Sequence, residues 1–173
     1  MYICDIMETF EKRNQAKYNA KNIADWILTF INTEAGDTIS PLKLQKLIYY
    51  CQAWHYTVFN EPLFDEQIEA WALGPVVPSQ YKRFAGISRE CSISVSQLTD
   101  VELKEFDSPT LKLLTDVMNV YGEHSALYLM NLTHSEPPWK KARNGLDDYK
   151  ASSKPITLED MKEYYSTLRK SRD

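Results

Sequence analysis

Residues 68–84, IEAWALGPVVPSQYKRF, set a tryptophan, a Gly-Pro pair and a further proline between an extended run and the start of a helix. Gly74 permits a backbone turn that other residues resist. Pro75 fixes its own φ and restricts the residue before it, and Pro78 is placed to open a helix. None of these side chains moves protons. The segment therefore reads as a rigid corner, made by Gly74, Pro75 and Pro78, that positions its neighbours Trp71, Val76, Val77 and Tyr81.

Outward from the corner the chain reads as helices. Ile23, Trp26, Ile27, Phe30 and Ile31 recur at helical spacing over residues 20–34, with Gly36 as a stop. Ser40-Pro41 is an N-cap followed by proline at the first helical position. Beyond it Leu44, Leu47, Ile48, Cys51, His55 and Val58 form one apolar stripe, from which Lys43, Lys46 and Gln52 are expected to point away. Residues 66–73 and 91–98 alternate, and the spacing predicts that they pair as a small hairpin or ribbon framing the helix at Pro78. Ser108-Pro109 opens a helix ending at Gly122, residues 124–135 continue as another, and EPPWKKAR (136–143) begins a further one. A polar loop spans 144–155, and Thr157 with Asp160 marks the start of a last helix.

The 173 residues suit one domain able to bury a core without metal or disulfide. The net charge of −4 argues against a nucleic-acid binder working through broad electrostatics, which would want a basic face. Acids Glu61, Asp65, Glu66 and Glu69 stand together without an intervening Lys or Arg, whereas the chain from Trp139 onward is mildly basic. Cys4, Cys51 and Cys91 form no C-x-x-C pair, so neither a zinc ribbon nor a disulfide scaffold is indicated. The N-terminal stretch lacks the apolar length of a signal peptide, and no run reaches a membrane span. A reducing cytoplasm is the expected compartment.

Catalytic chemistry finds little support. His55 lies on an apolar stripe and reads as a hydrogen-bonded core histidine, while His124 follows a helix-stopping glycine. A hydrolytic arrangement would take His134 as base, Glu136 or Glu69 as its orienter, and Cys51 or Ser135 as nucleophile. No spacing fixes these groups together, and burial would leave the Cys51 thiol inert. His124 and His134 lack the second pair that a metal site needs. The glycines stand singly, without a phosphate loop, and no helix carries a row of side chains suited to base edges.

LKLQKLIYYCQAWHYTVFNEPLFDEQIEAWALGPVVPSQYKRF (42–84) closely resembles the Panacea domain of SocA-like antitoxins and phage-associated GepA proteins. The matching motifs fall on Lys43 to Tyr50, Pro62 to Phe64, Glu69 to Trp71, Gly74 to Val76, and Tyr81. The distal VYGEHSALYLMNLTHSEPPW (120–139) resembles the family's closing segment. Cys51 replaces a residue that is commonly small, and Leu73 one that is often bulkier or polar. The resemblance implies a mainly α-helical fold, no enzymatic activity and no cofactor. It also implies an antitoxin that binds a cognate toxin directly, with delivery to a Clp-type protease as a further role.

The expected architecture is thus a compact single-domain helical bundle with a small β insertion: an extension (1–16), the Panacea domain (17–145), and a loop with a C-terminal helix (146–173). Partner contacts are expected from Glu69, Trp71, Pro75, Val76 and Tyr81, joined by Tyr50 and Trp54. Gly74, Pro75, Pro78 and Trp139 are expected to shape the corner. The alternatives are a phage-encoded protein acting on a host factor, a hydrolase centred on His134, and a DNA-binding regulator.

Overall fold

The computed structural model describes residues 15–31 and 37–171. Almost all of the N-terminal extension, Cys4 and the Gly36 helix stop lie outside the described residues. Within them the chain is mainly α-helical. In order come α1 (Ala20–Phe30), α2 (Pro41–Phe59), the strands β1 (Glu69–Trp71) and β2 (Gly74–Val76), and α3 (Pro78–Arg83). Then follow α4 (Ser108–Tyr121), α5 (Ala126–Ser135), α6 (Pro137–Arg143) and α7 (Leu158–Lys170).

Helix α2 is the axis on which the other elements pack. Ser40 Oγ accepts from the Lys43 amide and Pro41 sits in the first turn, as expected, and the helix ends at Asn60 in the left-handed region. Its surroundings differ from the expected single stripe, because every residue from Leu44 to Ala53 is buried. Helices α4, α5 and α7, together with β2, cover it from several sides. A helix enclosed all round must satisfy any polar side chain it carries. Lys46 and Gln52, expected to face outward, are instead inside.

The short sheet also differs from expectation. β1 pairs antiparallel with β2, with Trp71 opposite Gly74, so Ala72 and Leu73 alone make the connection. Residues 91–98 do not join it; they carry a single 3₁₀ turn, and the Ile93 amide bonds to Ile39. The outer edge of β1 is taken by a segment distant in sequence. The Ala70 amide donates to the Lys154 carbonyl, and the Ile156 amide donates to the Ile68 carbonyl. Pairing of this kind is long-range and leaves little local signature.

Capping fixes most of the remaining ends. Asn19 and Asn22 cap α1 reciprocally, Asp107 rather than Ser108 caps α4, Ser125 caps α5 and Thr157 caps α7. Helix α3 is tied down by charge. Arg83 forks onto Asp100 at 2.8 and 2.9 Å and reaches Asp25, fully buried on α1, at 2.6 Å. Lys21 completes the cluster at 2.8 Å from Asp25.

Helix α7 docks through a tyrosine cage around Glu136, at the start of α6. Glu136 is 3% exposed and accepts from Tyr165 at 2.7 Å and from Tyr50 at 3.3 Å. Tyr50 stacks on Tyr121 at 3.9 Å, and the Trp54 indole donates to the Tyr121 hydroxyl at 3.0 Å. Burial raises the Glu136 carboxyl to about 7, although both tyrosine hydrogen bonds pull it down. The folded chain therefore keeps a proton that the unfolded chain releases between about pH 4.5 and 7. The contribution of Glu136 to stability is greatest below that window and declines as pH rises through it. Replacing Glu136 with Gln should flatten the melting temperature across this range in circular dichroism scans. An unchanged slope in the variant would show that the cage does not titrate.

Candidate functional site

The hairpin of residues 69–77 is held from beneath by side chains drawn from three helices. Lys46 of α2 is fully buried, and its Nζ donates to the Pro75 carbonyl at 3.0 Å. Its neighbour Gln45 accepts from the Val77 amide at 2.8 Å. From α6, the Trp139 indole donates to the Trp71 carbonyl at 3.0 Å, and Arg143 Nη1 donates to the Ala70 carbonyl at 2.8 Å. From α5, Thr133 packs against Gly74 and the His134 ring stacks on Trp139. A strand pair of three residues has few ladder bonds, and unpaired buried backbone groups cost about 1–3 kcal/mol each. These side chains take the place of a wider sheet.

Gly74 allows Lys46 to approach. Its φ of +98° is strained for any residue with a side chain. A Cβ there would lie 2.8 Å from Lys46 Cε and 2.8 Å from Thr133 Oγ1. Burial lowers the Lys46 ammonium to about 7. The Gly-Pro pair is therefore the second strand of the hairpin, packed on a buried lysine, rather than a corner between a strand and a helix.

The same helix braces the approach to the hairpin. Gln52 accepts from the Leu63 amide at 2.7 Å and donates to the Phe64 carbonyl at 2.7 Å. His55 is buried and bonds the Glu61 carbonyl at 2.8 Å, in keeping with a core histidine. Gln45, Lys46, Gln52 and His55 thus serve one chain segment in order, from residue 77 back to residue 61. Of the four, Gln45, Lys46 and Gln52 were not read as structural from the sequence. Their signal was present as polar residues recurring within a strongly apolar helix.

The residues expected to meet a partner divide by exposure. Tyr50, Pro75 and Val76 are buried and offer no contact area. Trp139 is also core. Trp71 and Glu69 are half-buried and Tyr81 is 49% exposed, with the Trp71 and Tyr81 rings edge-to-face at 4.8 Å. The Trp71 indole donates to Glu69 Oε2 at 2.7 Å. Leu73 is exposed at the hairpin tip. Trp54 belongs elsewhere, to a groove of about 180 Å³ lined by Leu113, Val117, Val120 and Tyr121. Two of the acids serve the chain itself, since Asp65 accepts from the Ala16 amide and Glu66 from the Ala20 amide.

The residues of the hydrolytic alternative do not converge. Glu136 is occupied by the two tyrosines, and Ser135 donates to the Leu132 carbonyl. Burial pushes the Cys51 thiol far above its ordinary range. The His134 ring stacks on Trp139 at 4.0 Å, and burial lowers its pKa. Among the described residues no group of three His, Cys, Asp or Glu side chains is arranged to hold a metal, and no helix is long and apolar enough to cross a membrane.

Substituting Gly74 with Ala adds backbone strain and a clash with Lys46 and Thr133. It should destabilise the fold by about 2–4 kcal/mol, read as a lower urea midpoint. A variant as stable as the parent would show that the close approach of Lys46 is not a constraint.

The residues that form and surround this hairpin are the ones whose motifs stand out along the chain: Gln45 and Lys46, Gly74 and Pro75, Thr133 and His134, and Trp139. No curated protein and no solved structure matches the chain. The family model described as antitoxin SocA-like, Panacea domain, matches residues 44–140, more than half of the sequence. That span begins within α2 and ends at the tryptophan side of the clamp, and the chain belongs to the SocA-like Panacea domain family.

Proposed function

We propose that this protein is an antitoxin that neutralises a toxin by direct binding, with Trp71, Leu73 and Tyr81 as the apolar anchors of the contact. The observation that carries the reading is the pairing of Trp71 with Tyr81 on a hairpin clamped at successive backbone groups. Anchors held before binding lose little conformational entropy on association, which favours affinity over mere area. Tryptophan and tyrosine in such positions carry a large share of interface energy. Pro75 and Val76 contribute as the buried second strand of that hairpin, and Tyr50 acts in the core through Glu136. Delivery of the toxin to a Clp-type protease is the finer form of this reading, and a shortened toxin half-life in its presence would support it.

The hairpin offers contact area and no convergent acid, base and nucleophile, which favours binding over catalysis. A phage-encoded protein acting on a host factor would use the same face. Purification from host cells with a host protein bound, and no neutralised toxin encoded alongside, would favour that version.

Co-expression with the product of the adjacent gene tests the proposal. Trp71→Ala and Tyr81→Ala should stay folded and each weaken binding by about 2 kcal/mol, roughly thirtyfold, with growth rescue lost. Full rescue by both folded variants would remove the hairpin as the contact surface.

A further inference from the structure

We propose that Glu69, Trp71 and Tyr81 form a receptor for a guanidinium group, so that the partner inserts an arginine side chain at the hairpin. The inference deepens the reading of this face as the toxin-binding surface and rests on it. Two independent features support it.

The first is geometric. Trp71 and Tyr81 lie edge-to-face at 4.8 Å, and Tyr81 is 49% exposed, so aromatic surface is open to solvent. The Glu69 carboxylate is fixed beside these rings by the Trp71 indole at 2.7 Å on Oε2, which leaves Oε1 without a bond from that donor. A planar cation that stacks on an aromatic face while pairing with a carboxylate matches this arrangement. Arginine does both, because its guanidinium is weakly hydrated and donates from a flat fork. A lysine ammonium, compact and strongly hydrated, fits less well.

The second feature is charge. Glu61, Asp65, Glu66 and Glu69 succeed one another along the segment leading into β1, and none of them forms an ion pair among the described residues. Lys82 follows Tyr81 and Lys154 borders β1, yet neither pairs with Glu69. Glu61, Asp65 and Glu66 lie toward the residues preceding α1, so Glu69, with no ion pair among the described residues, is the carboxylate that a basic partner meets beside the aromatic pair.

The test is a titration of the full ¹⁵N-labelled chain at low salt with N-acetyl-arginine amide, and in parallel with the neutral isostere N-acetyl-citrulline amide. The readout is the Trp71 indole N–H resonance. The arginine probe should give a saturable shift, with the citrulline probe about tenfold weaker. Glu69→Gln keeps an oxygen for the indole but removes the charge, and it should abolish the difference between probes. Tyr81→Leu, at an exposed position, should weaken the arginine shift. Equal response to both probes, an undiminished shift in Glu69→Gln, or no shift up to the solubility limit would each overturn the receptor. Toxin binding undiminished in Glu69→Gln would overturn it while leaving the antitoxin reading intact. A normal arginine titration in a protein that neutralises no toxin would instead overturn that reading and keep the receptor.

Discussion

Between residues 61 and 77 the chain dips repeatedly into the core at Leu63, Phe64, Ile68, Ala70 and residues 74–77 with only a three-residue strand pair for regular structure, so its buried peptide groups must find partners elsewhere. Helix α2 supplies them from its side chains. Gln45 and Lys46 meet Val77 and Pro75, while Gln52 meets Leu63 and Phe64 and His55 meets Glu61. Each such bond contributes only about 1 kcal/mol net, but leaving its partner buried and unpaired costs more. The arrangement is thus enforced less by attraction than by the penalty of the alternatives. A lysine is an expensive member of this set, since burial of its ammonium must be offset by the carbonyl it serves and by the packing around it.

The same constraint explains why distant motifs occur together in one domain. A glycine at position 74 matters because Lys46 and Thr133 occupy the space where its side chain would stand. Trp139 matters because its indole closes the far side of the hairpin at Trp71, while its ring supports His134. These residues come from α2, β2, α5 and α6, and a change in one leaves the others facing an unsatisfied or empty position. The outward face of the hairpin carries none of this burden. Trp71 and Leu73 on the hairpin, and Tyr81 on α3, keep the exposed surface that the proposed contact requires.

Much of the fold was legible from local chemistry. Ser40-Pro41 and Thr157 each announced a helix start through side chains that satisfy first-turn amides. At α4 the serine-proline pair was the right landmark, but the preceding Asp107 holds the capping bond. The failures came where partners lie far apart in sequence. The alternation at 91–98 suggested a strand, yet the edge of β1 is filled by residues near Pro155, whose proline-bearing loop carries no strand pattern. Lys46 and Gln52 were assigned to the outside because polar residues on a helix usually face water, and nothing local reveals a helix enclosed on several sides. Tyr50 shows the same limit: its ring and hydroxyl suit a contact surface or a core equally well, and Glu136 on another helix decides for the core.

If buried side chains of α2 make the irregular hairpin as rigid as the helix beneath it, its amides open only when the whole fold does. Native-state hydrogen exchange at the Val77 and Leu63 amides tests this most directly, since these groups donate to Gln45 and Gln52 and to no backbone ladder. Both should exchange as slowly as the buried amides at the centre of α2, through global unfolding alone. Exchange at the rate of exposed loop amides would contradict it.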